Sequence, residues 1–159
     1  MIQQINSGSV CFLNYNLAFG GTEKVIVSLA NHLAASGRSV SILIMTPDHD
    51  FKDFLNPSVE VINLNISSMK QVVPSLLKLL IRRKFDNFIA NVWPLTALSF
   101  VVKICSRRTK LIYIEHCNLS EQFKSRGPLF KFIQNVSIFI FYKFSDQVIS
   151  VSEGVKQDL

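Results

Sequence analysis

Cysteine is scarce in this chain of 159 residues: Cys11, Cys105 and Cys117 are odd in number and form no CxxC pair. That excludes a disulfide framework and a paired-thiol zinc site, and predicts reduced, mostly buried thiols in a cytoplasmic protein. Acidic residues are also few, 11 against 17 Lys and Arg. The glycines form neither GxGxxG nor GxxxxGK[ST], which argues against a dinucleotide oxidoreductase and a P-loop enzyme. No recognised nucleic-acid module is present, so no nucleic-acid partner is expected. The most apolar stretch, PLFKFIQNVSIFIFYKF over 128–144, is interrupted by Lys131, Gln134, Asn135 and Lys143 and is shorter than the ~20 residues a spanning helix needs. There is no Pro- or Ser-rich linker and no fixed-period repeat, so 1–159 reads as one domain. The opening MIQQINSGSV has neither the basic start nor the apolar run of a secretory leader, and the sequons at Asn65, Asn118 and Asn135 are therefore read as idle.

What is present is apolar and basic. Hydrophobic residues make up 48% of the chain, with 13 Phe, enough for strands buried on both faces or for an apolar surface with a partner. The net charge of +6 arises mainly after residue 75, from Lys78, Arg82 and Arg83 through Arg107, Arg108, Lys131 and Lys143. This asymmetry favours an anionic partner, against the plainer reading of a solvated basic face.

Two hydrophobic periods alternate along the chain. SVCFLN (9–14) reads as a strand, Thr22 to Ala35 as a helix with Val25, Ile26, Leu29, Ala30 and Leu33 on one stripe, Gly37 as its C-cap, and SVSILIM as a second strand. The alternation continues with VEVINLN (59–65), a helix through Leu76 to Arg83, FDNFIANVW (85–93), a helix from Leu95 to Cys105, KLIYIEHCN (110–118), a helix from Pro128 to Phe144, and QVISVS (147–152). Six strands separated by helices predict an open, mostly parallel α/β sheet with helices on both faces. On the 128–144 helix, Lys131, Gln134 and Asn135 share a narrow polar side. The wide arc holding Phe130, Phe132, Ile133, Val136, Phe139, Ile140 and Phe141 is expected to pack on the sheet in part; the remainder, with its lysines, is left for a bilayer surface or a partner domain.

In such a sheet, ligands bind beyond the carboxyl ends of the strands. The polar residues collect there: Asn14, Tyr15 and Asn16, then Gly20, Gly21 and Thr22; Asp48 and Asp50; Trp93; His116 and Asn118; Ser152 and Glu153. Gly20 and Gly21 precede the first helix, where bare amides and the helix dipole attract anions such as a diphosphate, although a glycine turn there can be only a turn. His116 ends an apolar strand, where an imidazole can contact substrate or move a proton, or serve structure alone. His32 and His49 are read as structural. Asp48-His49-Asp50 has the Asp-x-Asp form that can hold a divalent ion, but after Pro47 it reads as a solvated loop, and no metal or cofactor is expected.

FGGTEKVIVSLANHLAASGRSVSILI, FDNFIANVW, KLIYIEHCN and FSDQVISVSEGVKQDL stand in the order and spacing of a known family. The chain resembles the amino-terminal half of the GT-B glycosyltransferases, in particular family 4 of the retaining enzymes, and the resemblance spans nearly all of it. The resemblance implies a Rossmann-like three-layer sandwich, half of a GT-B fold, with a nucleotide-sugar donor as substrate and a lipid-linked or polysaccharide acceptor. It implies that Gly20 and Gly21 face the donor diphosphate and that His116 is the catalytic residue beside the transferred sugar or acceptor. Thr22, Asn16, Trp93 and Asn118 would line the substrate, and Ser152 would begin the segment leading to a second domain. Gly37-Arg38-Ser39-Val40 departs from the Gly-His-hydrophobic-Val usual in the family. The Glu-x7-Glu pair of the nucleotide-sugar half has no counterpart, since no two of Glu23, Glu60, Glu115, Glu121 and Glu153 stand eight apart. The expectation is an acceptor-side domain at the inner face of a membrane, lacking its second domain and weak or inactive alone. The alternative is a noncatalytic module that binds anionic membrane or a partner protein through 128–144.

Overall fold

A computed structural model describes residues 8–48 and 50–158. Six strands, β1 (Val10–Asn14), β2 (Val40–Ile44), β3 (Glu60–Asn63), β4 (Asn87–Asn91), β5 (Lys110–Glu115) and β6 (Gln147–Ser150), form one sheet in the order β3-β2-β1-β4-β5-β6. Every pairing is parallel. Seven helices connect and flank the strands: α1 (Gly21–Ala35), α2 (Val72–Arg82), α3 (Leu95–Leu98), α4 (Val101–Cys105), α5 (Leu119–Gln122), α6 (Pro128–Phe141) and α7 (Glu153–Asp158). This is the Rossmann-like α/β architecture that the alternating periods predict.

The period-two geometry of a strand divides β1 between two cores. Val10 and Phe12 join Ile42, Ile44, Ile26 and Ala30 under α1, whereas Cys11 and Leu13 join Phe88, Tyr113, Val72 and Leu76 on the opposite face. All five β1 residues are buried, which is why this strand reads as a continuous apolar run. The chain builds β2 and β3 outward on one side of β1, then returns to place β4 on its other side. Strand order therefore reverses between β1 and β4, and a crevice opens beyond their carboxyl ends.

Four local expectations are corrected. The buried stripe of α1 is Ile26, Val27 and Ala30, while Val25 and Leu29 are exposed, because the helix meets the sheet about one residue further round. The 95–105 helix is broken into α3 and α4, with the Ser99 hydroxyl donating to the Leu95 carbonyl at the break. The thiols are not mostly buried: Cys11 is, but Cys105 is half-buried and Cys117 exposed.

The fourth correction concerns α6, whose apolar arc does not pack on the sheet. Its one buried residue is Gln134, on the side expected to face water, while Leu129, Phe132, Ile133, Val136, Phe139 and Ile140 are exposed. The helix is held along its flank. Phe141 stacks on Phe100 at 4.5 Å, Phe130 packs edge-on to Trp93, and Gln134 lines a small pocket together with Leu119, Phe123 and Asp158. No helix among the described residues is long and apolar enough to cross a membrane.

Candidate functional site

The crevice at the β1/β4 reversal is built from loops tied to one another. Beyond β1, the Tyr15 carbonyl accepts from the Met45 N–H at 2.9 Å, the Leu17 N–H donates to the Asp48 carbonyl at 2.9 Å, and the Phe51 N–H donates to the Leu17 carbonyl at 3.1 Å. Asp50 accepts from the Phe19 N–H at 3.2 Å, and Asp48 from the Thr46 hydroxyl at 3.3 Å. Both carboxylates thus serve the loop itself; His49 lies outside the described residues. Among the described residues, no cluster of His, Cys, Asp and Glu is arranged to hold a metal ion.

Gly20 and Gly21 are exposed at the start of α1, so the turn is not walled off by its neighbours. Gly20 is extended (φ −162°, ψ 165°), and no side chain caps the helix. A Cβ at Gly21 would meet nothing within 4 Å. A Cβ at Gly20 would collide with the Glu23 carboxylate, which folds back toward the turn and accepts from the Asn14 amide at 3.2 Å. The first turn of α1 therefore offers bare amides on its outer side and a carboxylate on its inner side. The helix dipole favours an anion there, and Glu23 already uses part of that field.

His116 lies one residue beyond β5 and is half-buried. Its Nε2 is 3.3 Å from the Asn91 side-chain oxygen, while the Asn91 amide nitrogen donates to the Leu13 carbonyl at 3.1 Å. Because that nitrogen is engaged, Asn91 presents an acceptor to the imidazole. A neutral His116 then carries its proton on Nε2 and keeps the Nδ1 lone pair free. Burial lowers the His116 pKa, and the Glu23 charge partly opposes the shift. Asn91 is itself completely buried and joins β1 to the imidazole across the reversal point.

Glu115, the last residue of β5, is buried but not bare. It accepts from the Trp93 N–H at 3.1 Å, from the Thr96 hydroxyl at 2.8 Å, and from the Tyr142 hydroxyl. Burial raises its pKa, and the three donors oppose that rise. The carboxylate thereby fixes the backbone of Trp93. The indole N–H of Trp93 donates to Ser137 at 2.9 Å, and its ring packs edge-on against Phe123 at 5.3 Å and Phe130 at 5.6 Å.

These groups enclose a cleft of about 360 Å³, lined on its polar side by Asn14, Tyr15, Thr22, Glu23, Asn91 and Cys117, and on its apolar side by Met69, Trp93, Pro94 and Phe123. Of the residues singled out from sequence, Asn14, Tyr15, Thr22 and Trp93 line it directly. Gly20 and Gly21 adjoin it through Thr22, and His116 joins it through Asn91. Asn16 belongs to the loop's own bonding: its carbonyl accepts from Asn14 at 2.8 Å and its side-chain oxygen from the Ala18 N–H at 3.3 Å. Asn118 and Ser152 gather elsewhere, at the start of α7. There the Ser152 hydroxyl accepts from the Val155 N–H at 3.3 Å, and the Asn118 amide lies against Gly154.

Sequence reasoning missed Asn91, Glu23 and the Glu115–Thr96–Tyr142 group. Asn91 had a signal, a lone amide inside the apolar run FIANVW, which in a buried strand needs partners. Tyr142 had none, because its partner stands 27 residues away.

A parallel sheet with a polar crevice at its strand reversal defines a Rossmann-like ligand-binding domain. The family model for Glycosyltransferase Family 4 matches residues 19–159, and the chain belongs to that family. Comparison with curated proteins gives no significant match.

Proposed function

We propose that this chain is the acceptor-side domain of a retaining glycosyltransferase that moves a sugar from a nucleotide-sugar donor to a glycan or lipid-linked acceptor. The observation that carries the reading is a cleft lined by Thr22 and Asn91, with the open Gly20–Gly21 turn next to Thr22 and His116 bonded to Asn91, in a chain of this family. Departure of a nucleoside diphosphate develops negative charge, and amides fixed at a helix start stabilise such charge without reorganising. A neutral imidazole with a free lone pair can accept a hydrogen bond from a sugar or acceptor hydroxyl. In this reading His116 contacts and orients the substrate.

The proposal includes a second, nucleotide-sugar domain as partner across the crevice, without which transfer is weak. It also includes peripheral contact with anionic membrane. The exposed side of α6 presents Leu129, Phe132, Ile133 and Phe139, with Lys131 and Lys143 beside them, and the Lys143 ammonium sits 3.8 Å over the Phe139 ring. The test is transfer by this chain joined to a family 4 nucleotide-sugar domain, assayed with a broad donor panel. Sugar incorporation that depends on both halves supports the reading. Absence of transfer with every donor, alongside sedimentation with anionic liposomes that Phe139→Asp abolishes, would replace it with the noncatalytic membrane module.

A further inference from the structure

The crevice does not end at Trp93. On the far side of the Trp93–Pro94 turn lies an open groove of about 570 Å³ whose apolar lining is Met69, Trp93, Pro94, Leu98, Phe123 and Phe130. Four of these, Met69, Trp93, Pro94 and Phe123, also line the polar cleft, so the two spaces share one wall. Among the described residues, the charged ones lining the groove are Lys70 and Arg126, and no carboxylate lines it. Arg126 is held in place by its guanidinium lying 5.4 Å over the Phe130 ring.

A sugar ring could stack its C–H face on these aromatic side chains, but among the lining residues no side chain offers its hydroxyls an acceptor, and the aliphatic part of the wall, Met69, Pro94 and Leu98, gives it nothing to bond. An amphiphile suits it. Its chain would cover the aromatic and aliphatic wall, its phosphate would meet Lys70 and Arg126, and its reacting end would reach the shared wall at Trp93. Resting on the glycosyltransferase reading above, we infer that the groove binds the apolar chain of a phosphate-bearing lipid acceptor, with Lys70 and Arg126 as the phosphate contacts. This selects lipid phosphate over a free polysaccharide as the acceptor class.

Trp93 is the chain's single tryptophan and stands in the shared wall, so its fluorescence reports occupancy. The probes are decyl phosphate, a decyl oligoethylene glycol ether and inorganic phosphate, each titrated into the whole chain below any micelle concentration. Decyl phosphate should shift the emission saturably, with at least about tenfold higher affinity than the neutral ether, as expected for charge-assisted contacts. Inorganic phosphate alone should leave the indole signal unmoved. The Lys70→Ala/Arg126→Ala double variant, altered only at exposed positions, should bring the two amphiphiles to equal affinity. Phe130→Ser should weaken both, and should it fail to fold, the ligand comparison on the unaltered chain still decides. Equal binding of ether and phosphate, an unchanged preference in the double variant, or competition by inorganic phosphate as strong as by decyl phosphate would overturn the inference. Sugar transfer to a water-soluble glycan by the joined protein, with no response to decyl phosphate, would overturn this inference and leave the broader reading standing. Loss of transfer with an intact decyl phosphate response would do the reverse.

Discussion

The two flanks of the sheet are built differently from similar composition. On the β1–β2 side, α1 lays Ile26, Val27 and Ala30 on Phe12, Ile42 and Ile44, and the helix is held to the sheet by buried apolar side chains. On the β5–β6 side, Val148, Ile149 and the outer side of α6 remain exposed, and polar cross-links through Glu115, Trp93 and Tyr142 hold the elements together. The first flank is stabilised by area removed from water, at roughly 1.5–3 kcal/mol for each large side chain. The second depends on satisfied hydrogen bonds and leaves apolar surface available for other molecules.

The largest effect should separate the flanks by truncation. Phe12→Ala, at a fully buried ring, should cost about 3–5 kcal/mol in urea unfolding, whereas Phe139→Ser, at a ring 68% exposed, should change stability by under about 0.5 kcal/mol. Comparable losses at both positions would erase the distinction.

Glu115 sharpens it from the polar side. Glu115→Ala leaves the Trp93 N–H and one of the Thr96 and Tyr142 hydroxyls short of an acceptor, since those two hydroxyls lie 2.9 Å apart and one can donate to the other, and should cost about 2–3 kcal/mol. Glu115→Gln keeps a carbonyl acceptor and should cost clearly less, with a smaller change in Trp93 emission. Equal costs for the two variants would show that the carboxylate fills space and positions nothing.

A smaller effect is tied to pH. Burial holds the His116 pKa below its ordinary value, so the folded chain binds fewer protons here than the unfolded chain just below pH 6.5. His116 therefore contributes stability that is complete above the unfolded pKa and is lost as pH falls toward the folded one. NMR titration of the imidazole should give a midpoint below 6.5, and His116→Gln should flatten the stability profile in that window. A midpoint above 6.5 would mean that the Glu23 charge outweighs burial.

The smallest effect belongs to the exposed pair at the other edge. Arg83 and Glu60 lie 2.6 Å apart with both side chains nearly half exposed, and because water screens the pair Arg83→Ala should leave the urea-unfolding midpoint nearly unchanged. A larger loss would mean that β3 relies on charge in a way the buried core does not.

The contrast also explains what was legible in the sequence. Strand positions follow from periods within each segment and the parallel sheet from the alternation of strands with helices, and VCFLN and VSILI are buried throughout as such runs should be. The outward turn of α6 was not legible, because Gln134 is buried beside a pocket it lines together with Leu119, Phe123 and Asp158, neighbours that no wheel of one helix contains. The same holds at the site. Gly20, Gly21 and Trp93 announce themselves by residue type and place, whereas the fold-back of Glu23 onto Gly20 and the Asn91–His116 contact depend on partners brought together by the sheet. Asn118 and Ser152 fall on the expected rim yet beside α7, one strand end away from the cleft.

Gly21 offers the most direct trial of the central claim, since a Cβ added there meets nothing within 4 Å. The measurement is steady-state transfer by the chain joined to a family 4 nucleotide-sugar domain, comparing Gly21→Val with the unaltered protein. If the turn receives the donor diphosphate, kcat/KM for the donor should fall about a hundredfold while the unfolding midpoint stays within a degree or two, as for loss of a main-chain anion contact without loss of fold. Unchanged kinetics in a folded Gly21→Val protein would contradict it.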